Sequence, residues 1–260
     1  MNNEVFIFGA LDVAEACWYL FLIFFAGLIL YLRREDRREG YPLEADTTGV
    51  REDDTGLFFF ATPKTFELPH GRGRKVAPDR RRETRKLNAR RTAVWPGAPI
   101  EPLGDPLVDG IGPAAYAERA NVPDVLHDGT PKIVPLALAK GYELAKGDAD
   151  PRGYRVIAAD RVVAGVVKDV WVDRMEFLIR FLEVELAGAP GQRRLLPMGM
   201  AVIDRGSRAV RVRSIGSSQF VNVPQPARSD QITFYEEERV MAYYGGGYLY
   251  GMPGRAESLL

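Results

Sequence analysis

Few residues in this chain have the types and spacing that chemistry needs. There are two histidines, His70 and His127, and one cysteine, Cys17. The sequence has no His-Glu-x-x-His and no Cys-x-x-Cys, so neither a zinc site nor a histidine-ligated pigment is expected in this chain alone. Gly71-Arg72-Gly73 and Gly110-Ile111-Gly112 lack the strand–turn–helix setting of a nucleotide fingerprint. No Gly-x-Ser-x-Gly is present, and two histidines are a thin supply for a catalytic triad. What remains is acids beside bases. Asp173 and Glu176 follow Trp171-Val172 three residues apart. Two carboxylates that meet raise each other's pKa, which keeps one proton available near neutrality. Arg180, four residues after Glu176, pairs with it if that stretch turns helically. Asp124, His127 and Asp128 form a second group, just before Thr130-Pro131-Lys132-Ile133. An unperturbed imidazole titrates near neutral pH. The same residues also describe a surface loop with a salt bridge and an exposed histidine, and that reading stays open on residue types alone.

The element that must anchor all of this is an apolar run from Leu11 to Leu32, uncharged from Ala16 onward and ended by Arg33-Arg34. At about 1.5 Å per residue, roughly 22 residues span about 33 Å, the thickness of a bilayer's hydrocarbon core. A helix is expected, because lipid offers backbone groups no other partner. Trp18, Tyr19 and Tyr31 suit the two interfaces. A secretory signal is disfavoured: the first 15 residues contain Glu4, Asp12 and Glu15 but no Lys or Arg, and no small-residue cleavage pattern follows. Arg33, Arg34, Arg37 and Arg38 follow the helix, and positive flanks stay cytoplasmic. The expected layout is therefore a periplasmic N-terminus at 1–10, a single transmembrane helix at 11–32 and everything after it in the cytoplasm.

Residues 33–110 are rich in Pro, Gly and charge without a sustained period, so an extended segment lying on a membrane or protein surface is expected. Leu57-Phe58-Phe59-Phe60 forms an apolar patch within it. Residues 72–91 form a basic block that includes Arg80, Arg81 and Arg82. Beside a membrane such a block attracts anionic headgroups at about 1 kcal/mol per basic residue; a solvated charge run is the alternative. Arg33, Arg34, Arg37, Arg38, Arg80, Arg81 and Arg82 are the expected lipid or partner contacts. Nucleic acid is not an expected partner, since the block lacks interleaved aromatics and a reader fold.

A β-rich cytoplasmic domain is expected over 111–245. Stretches 154–157, 161–173, 181–186, 193–204 and 209–215 read as short strands, with 187–191 a turn, and together they suit a small antiparallel barrel or sandwich. Leu182, Val184 and Leu186 should share one face, and Glu183 and Glu185 the other. Residues 232–244 read as a helix capped by Asp230 or Thr233 and stopped by Gly245-Gly246-Gly247, leaving 246–260 as a tail.

Several ordered motifs then carry a resemblance. They are Phe25-Ala26-Gly27-Leu28-Ile29 in the helix, Arg38-Glu39-Gly40-Tyr41-Pro42-Leu43-Glu44 after it, Pro63-Lys64-Thr65-Phe66, Leu68-Pro69-His70-Gly71-Arg72-Gly73, Gly104-Asp105-Pro106, Asp109-Gly110-Ile111-Gly112-Pro113 and Trp171-Val172-Asp173. The strongest block is Arg180-Phe181-Leu182-Glu183-Val184-Glu185-Leu186 with Arg194-Leu195-Leu196-Pro197-Met198. Over most of its length the chain resembles the H subunit of the purple-bacterial photosynthetic reaction centre, with 74–90 the weakest match.

The resemblance implies a single transmembrane helix, a PRC-barrel-like cytoplasmic domain and no pigment on this chain. Bacteriochlorophyll, bacteriopheophytin, quinones and a non-haem iron would sit on other subunits. The implied partners are the L and M subunits, an antenna ring and anionic lipids in the chromatophore membrane. The implied role is non-enzymatic: capping L and M over the quinone sites and letting protons through. It assigns Asp173 and Glu176 to the proton route, with Arg180 as a supporting ion pair, and Asp124, His127 and Asp128 to its surface entry. Family members can carry a pair of histidines at that entry, where this chain has only His127. Two other classes are a single-pass adaptor whose β-rich domain docks another cytoplasmic partner, and a membrane-anchored enzyme, for which the motifs above give no support.

Overall fold

A computed structural model describes residues 6–8, 11–41, 43–45, 48, 50–52, 61–79 and 84–255. The Leu57–Phe60 patch and Arg80, Arg81 and Arg82 lie outside the described residues. Two compact units result, one of residues 1–85 with Ala93–Ala98, the other of Lys86–Thr92 with Pro99–Leu260. The second unit thus begins upstream of the limit drawn at 110/111.

In the first unit, β1 (Phe6–Phe8) pairs with β2 (Leu11–Asp12), and helix α1 follows at Val13–Glu35. The helix therefore starts two residues inside the expected span and runs past Leu32. Asp12 caps it, its carboxylate accepting the Glu15 amide at 2.7 Å. Arg33 and Arg34 in the last turn suit the negative end of the helix dipole. No described residue of α1 is buried. A helix apolar on every face with nothing packed on it is soluble only in lipid or against other apolar helices. It is the one candidate membrane span among the described residues.

The segment after α1 is not featureless. It folds into two-residue to four-residue ladders: β3 (Leu43–Glu44) with β4 (Arg51–Glu52), and β5 (Lys64–Glu67) with β6 (Arg74–Ala77). Such short strands leave no period to detect in sequence. The β5–β6 hairpin is tied to the helix end by Arg38. That side chain pairs with Glu35 at 2.8 Å and donates to the carbonyls of Thr62 (2.6 Å) and Ala77 (3.0 Å). Lys64 reaches Glu35 at 2.6 Å, and Arg34 donates to the Thr62 hydroxyl at 3.0 Å. Arg33 pairs with Asp36, and Arg37 stacks over Tyr41. Of the seven arginines expected to meet lipid or a partner, Arg33, Arg34, Arg37 and Arg38 are described; the Arg38 side chain is largely buried and ties the helix end to the hairpin by donating to the carbonyls of Thr62 and Ala77.

The second unit opens with β7 (Ala89–Arg91) paired to β8 (Ile100–Pro102) and the short helix α2 (Pro106–Asp109). Its main sheet contains β9 (Ile133–Pro135), β10 (Arg155–Ile157), β11 (Val163–Asp173), β12 (Leu178–Leu186), β13 (Arg193–Pro197), β14 (Ala201–Asp204) and β15 (Ala209–Val212). The order is β13-β12-β11-β10-β15-β14, with β9 against β11. All pairings are antiparallel except β10–β15. Trp171, Phe181, Leu182, Val184 and Leu196 fill the core. Helix α3 (Phe234–Tyr250) adds Val240, Tyr243 and Tyr244 to the same cluster.

Thr233, not Asp230, caps α3. Thr233 accepts the Glu236 amide at 3.1 Å while Glu236 accepts the Thr233 amide at 2.9 Å, and Asp230 is engaged by Arg228. The expected stop at Gly245-Gly246-Gly247 is wrong, since α3 continues to Tyr250. These glycines serve close approach. A Cβ on Gly246 would lie 2.5 Å from the Ala114 Cβ, and one on Gly247 2.7 Å from the Ser214 carbonyl oxygen. Packing thus overrides a propensity penalty of about 1 kcal/mol per glycine. Gly247→Ala is accordingly expected to destabilise, the overpacking cost of up to about 3 kcal/mol against backbone exceeding the helix gain. Denaturant unfolding measures it, and a more stable variant would contradict this reading. Arg255 closes the end of α3, donating to the carbonyls of Gly247 (2.9 Å), Ser214 (2.8 Å) and Arg213 (2.7 Å), so the chain past 245 is no loose tail as far as Arg255.

Candidate functional site

Strand β9 brings residues 124–132 beside the end of β11. Asp173 lies opposite Ile133, and the Arg174 amide donates to the Lys132 carbonyl at 3.0 Å. Residues 124–132 fold back on themselves: the Lys132 amide donates to the Asp124 carbonyl at 2.8 Å, and Val125 bridges Pro131. At the tip, Asp128 accepts from the Thr130 amide (2.9 Å) and hydroxyl (2.6 Å). Those hydrogen bonds, the hydroxyl's first, hold the Asp128 carboxyl below the usual carboxylate range, with His127 and Arg174 adding positive charge nearby. His127 is exposed at this tip.

After β11 the chain reverses in a tight turn. Asp173 accepts the amides of Met175 and Glu176 on one carboxylate oxygen, each at 2.9 Å, and the Phe177 amide closes on the Asp173 carbonyl at 2.9 Å. This is the local bonding that Asp favours at turns. Phe177 takes the left-handed conformation at φ +56°. Tyr142 braces the turn, its hydroxyl donating to the Arg174 carbonyl at 2.6 Å and its ring stacking on Phe177.

The result is one ammonium among three carboxylates. Lys132 Nζ lies 3.0 Å from Glu176, 3.1 Å from Asp173 and 3.7 Å from Asp124. Asp173 is 1% exposed, whereas the side chains of Asp124 and Glu176 are 39% and 49% exposed. The cluster therefore reaches from water to the interior. The second Asp173 oxygen faces the Lys132 ammonium. Burial pushes the Lys132 ammonium down, but its bonds to Glu176 and Asp173 outweigh that and leave its pKa above the ordinary value. Lys132 thus stays charged at neutral pH, and carboxylates outnumber it in its own shell.

The residues singled out from sequence are brought together only in part. Asp124, Asp173 and Glu176 share the cluster. His127 and Asp128 sit at the hairpin tip, linked to it through Thr130, whose hydroxyl accepts from Arg174 at 2.8 Å; Arg174 also donates to the Pro131 carbonyl. Arg180 does not pair with Glu176. It is the extra residue of a β-bulge, Trp171 facing Phe181 and Val172 facing Ile179, and it bonds Glu237 of α3 at 3.2 Å. Bulges re-aim side chains in this way, and residues 178–180 belong to a strand with no helical spacing to offer.

Lys132 and Arg174 were missed as functional residues. The only sequence signal was the position of Lys132 directly before an apolar Ile133-Val134. Glu183, on the face opposite Leu182, Val184 and Leu186, is also buried, paired with Arg193 at 2.9 Å. Burial raises its carboxyl pKa despite that arginine. Among the described residues no group of three or more His, Cys, Asp or Glu is placed to hold a metal ion, and the centre of the acid cluster is taken by Lys132. A family model described as the photosynthetic reaction centre H-chain N-terminal region matches residues 5–138, just over half of the chain. A second, the PRC-barrel domain, matches residues 145–219.

Proposed function

Because this chain belongs to the photosynthetic reaction centre H-chain family, we propose that its β-rich unit caps the L and M subunits on the cytoplasmic side and passes protons toward the secondary quinone. The chain catalyses nothing itself. Bacteriochlorophyll, bacteriopheophytin, quinones and the non-haem iron belong to its partners, and the secondary quinone there accepts electrons and protons. The single observation that carries the reading is the Lys132 cluster: three acids at graded depth around one fixed charge.

Proton passage needs titratable groups within hydrogen-bond reach. Glu176 and Asp124 meet water, and Asp173 lies behind them. Lys132 fixes the spacing of all three and moderates their mutual repulsion. The three carboxylates, two at the surface and one buried, offer a proton successive stations from water toward the interior. His127 and Asp128, exposed at the hairpin tip, serve as collectors. Arg180, engaged with Glu237, acts as a structural tie between β12 and α3.

Arg33 and Arg34 at the end of α1 support an N-terminus in the periplasm and a β-rich unit in the cytoplasm. The exposed faces of α1 pack beside L and M, with an antenna ring and anionic lipid around them. Purification from membranes in mild detergent tests the assignment. Near-infrared pigment bands are expected to co-elute with this chain. A colourless, monodisperse protein without a pigmented partner would support an adaptor instead.

A further inference from the structure

Strands β7 and β8 carry between them a loop that the cap and the proton route leave unexplained. Residues 92–100, Thr-Ala-Val-Trp-Pro-Gly-Ala-Pro-Ile, contain no charged side chain. They are bounded by Arg90-Arg91 on one side and Glu101 on the other, and Arg90 pairs with Glu101 across the ladder at 2.7 Å. Val94 is 92% exposed and Trp95 60%, while Ala98 beneath them is buried. The loop is closed on itself: Thr92 donates to the Pro99 carbonyl through its amide (2.9 Å) and its hydroxyl (3.0 Å), and the Ala98 amide donates to the Trp95 carbonyl at 3.2 Å. Ala93–Ala98 belongs to the same compact unit as α1, although the strands that carry it belong to the other.

We infer that the Val94–Trp95 tip inserts shallowly into the bilayer, at the headgroup–acyl boundary of the leaflet where the arginine-rich end of α1 emerges. Four observations point to lipid. An uncharged stretch with an exposed valine and tryptophan at its tip is costly in water. Tryptophan prefers the membrane interface, where its ring is apolar and its N–H still finds a partner. Basic residues at the stem suit the headgroup layer. The loop's unit also contains α1, the candidate membrane span. Depth is limited, because a loop whose backbone is only partly bonded cannot enter the hydrocarbon core. The tip would act as a second foothold beside the helix. The inference rests on α1 spanning a membrane, not on proton delivery.

Nitroxide scanning of the full chain in its native complex, reconstituted into phosphatidylcholine nanodiscs, tests this. Val94→Cys is made on a Cys17→Ala background, whose own labelled spectrum is subtracted. Collision rates with oxygen, which partitions into lipid, and with a nickel chelate, which stays in water, are then compared. Ile23→Cys in the middle of α1 and Gly188→Cys in the exposed turn after β12 calibrate the scale. The oxygen-to-nickel ratio at position 94 is expected several-fold above that at 188 and below that at 23. A ratio at 94 equal to that at 188 places the tip in water and overturns the inference. A strongly immobilised label shielded from both agents places it against protein and overturns it equally. A water-like ratio at 23 would instead remove the spanning helix on which the inference stands.

Discussion

Asp173→Asn together with Glu176→Gln is expected to slow the proton-coupled second electron transfer to the secondary quinone by roughly a hundredfold, the low end of what a positioned proton donor contributes. The low end applies because Asp124 keeps one carboxylate 3.7 Å from Lys132. The first electron transfer, which takes up no proton, should keep its rate. The pair is chosen for its geometry. The amide oxygen introduced at 173 can still accept the Met175 and Glu176 amides, each now at 2.9 Å, so the turn survives. At 176, exposure makes the amide cheap to accommodate. What disappears is the titratable carboxylate at the buried and at the exposed position. Flash kinetics of the two electron transfers, measured on the same sample, separate this from a general loss of assembly, which would slow both.

The second large effect is on stability. Lys132→Met should cost about 3 kcal/mol, the usual penalty for removing one partner of a buried ion pair. Nearly all of that comes from Asp173, almost fully buried and left without its cationic partner. The partners Glu176 and Asp124 are each more than one-third exposed, so solvent screens their share. The pH dependence has a definite sign. The Lys132 pKa is raised in the folded state above its ordinary value of 10.5. Its contribution is therefore complete below 10.5 and is lost as the pH climbs through the raised folded value. Urea unfolding of wild type and variant should show a gap that is flat through neutrality and closes only in strong alkali. A gap that vanishes near pH 8, or no gap at all, would remove Lys132 from the centre of the cluster.

The long apolar helix, a candidate membrane span, was plain in the sequence from its length and the absence of charge from Ala16 to Leu32. The long strands β11 and β12 and the Thr233 cap were equally readable, because alternation and capping are local signals. Long-range registers were not readable. Asp173 and Glu176 could be picked out as a pair, but nothing local shows that β9 delivers Lys132 between them from more than forty residues away. The error at Arg180 has the same origin: a single inserted residue in β12 turns that side chain toward α3, and a bulge leaves no mark on composition. The glycine run of α3 misled for the opposite reason. Its local preference is real, and the tight approach to Ala114 and Ser214 overrules it. Short ladders such as β3–β4 and β5–β6 escaped notice because two to four residues cannot display a period.

The proposed role is to pass hydrogen ions to the partner's quinone through this subunit. Flash-induced proton uptake, followed with a pH dye in pigmented membranes carrying the Asp173→Asn and Glu176→Gln chain, addresses it most directly. Uptake after the second flash is expected to slow in step with electron transfer, while pigment content and the first transfer stay at wild-type levels. Uptake at the wild-type rate in such membranes would contradict it, since protons would then be entering by a path that bypasses the cluster.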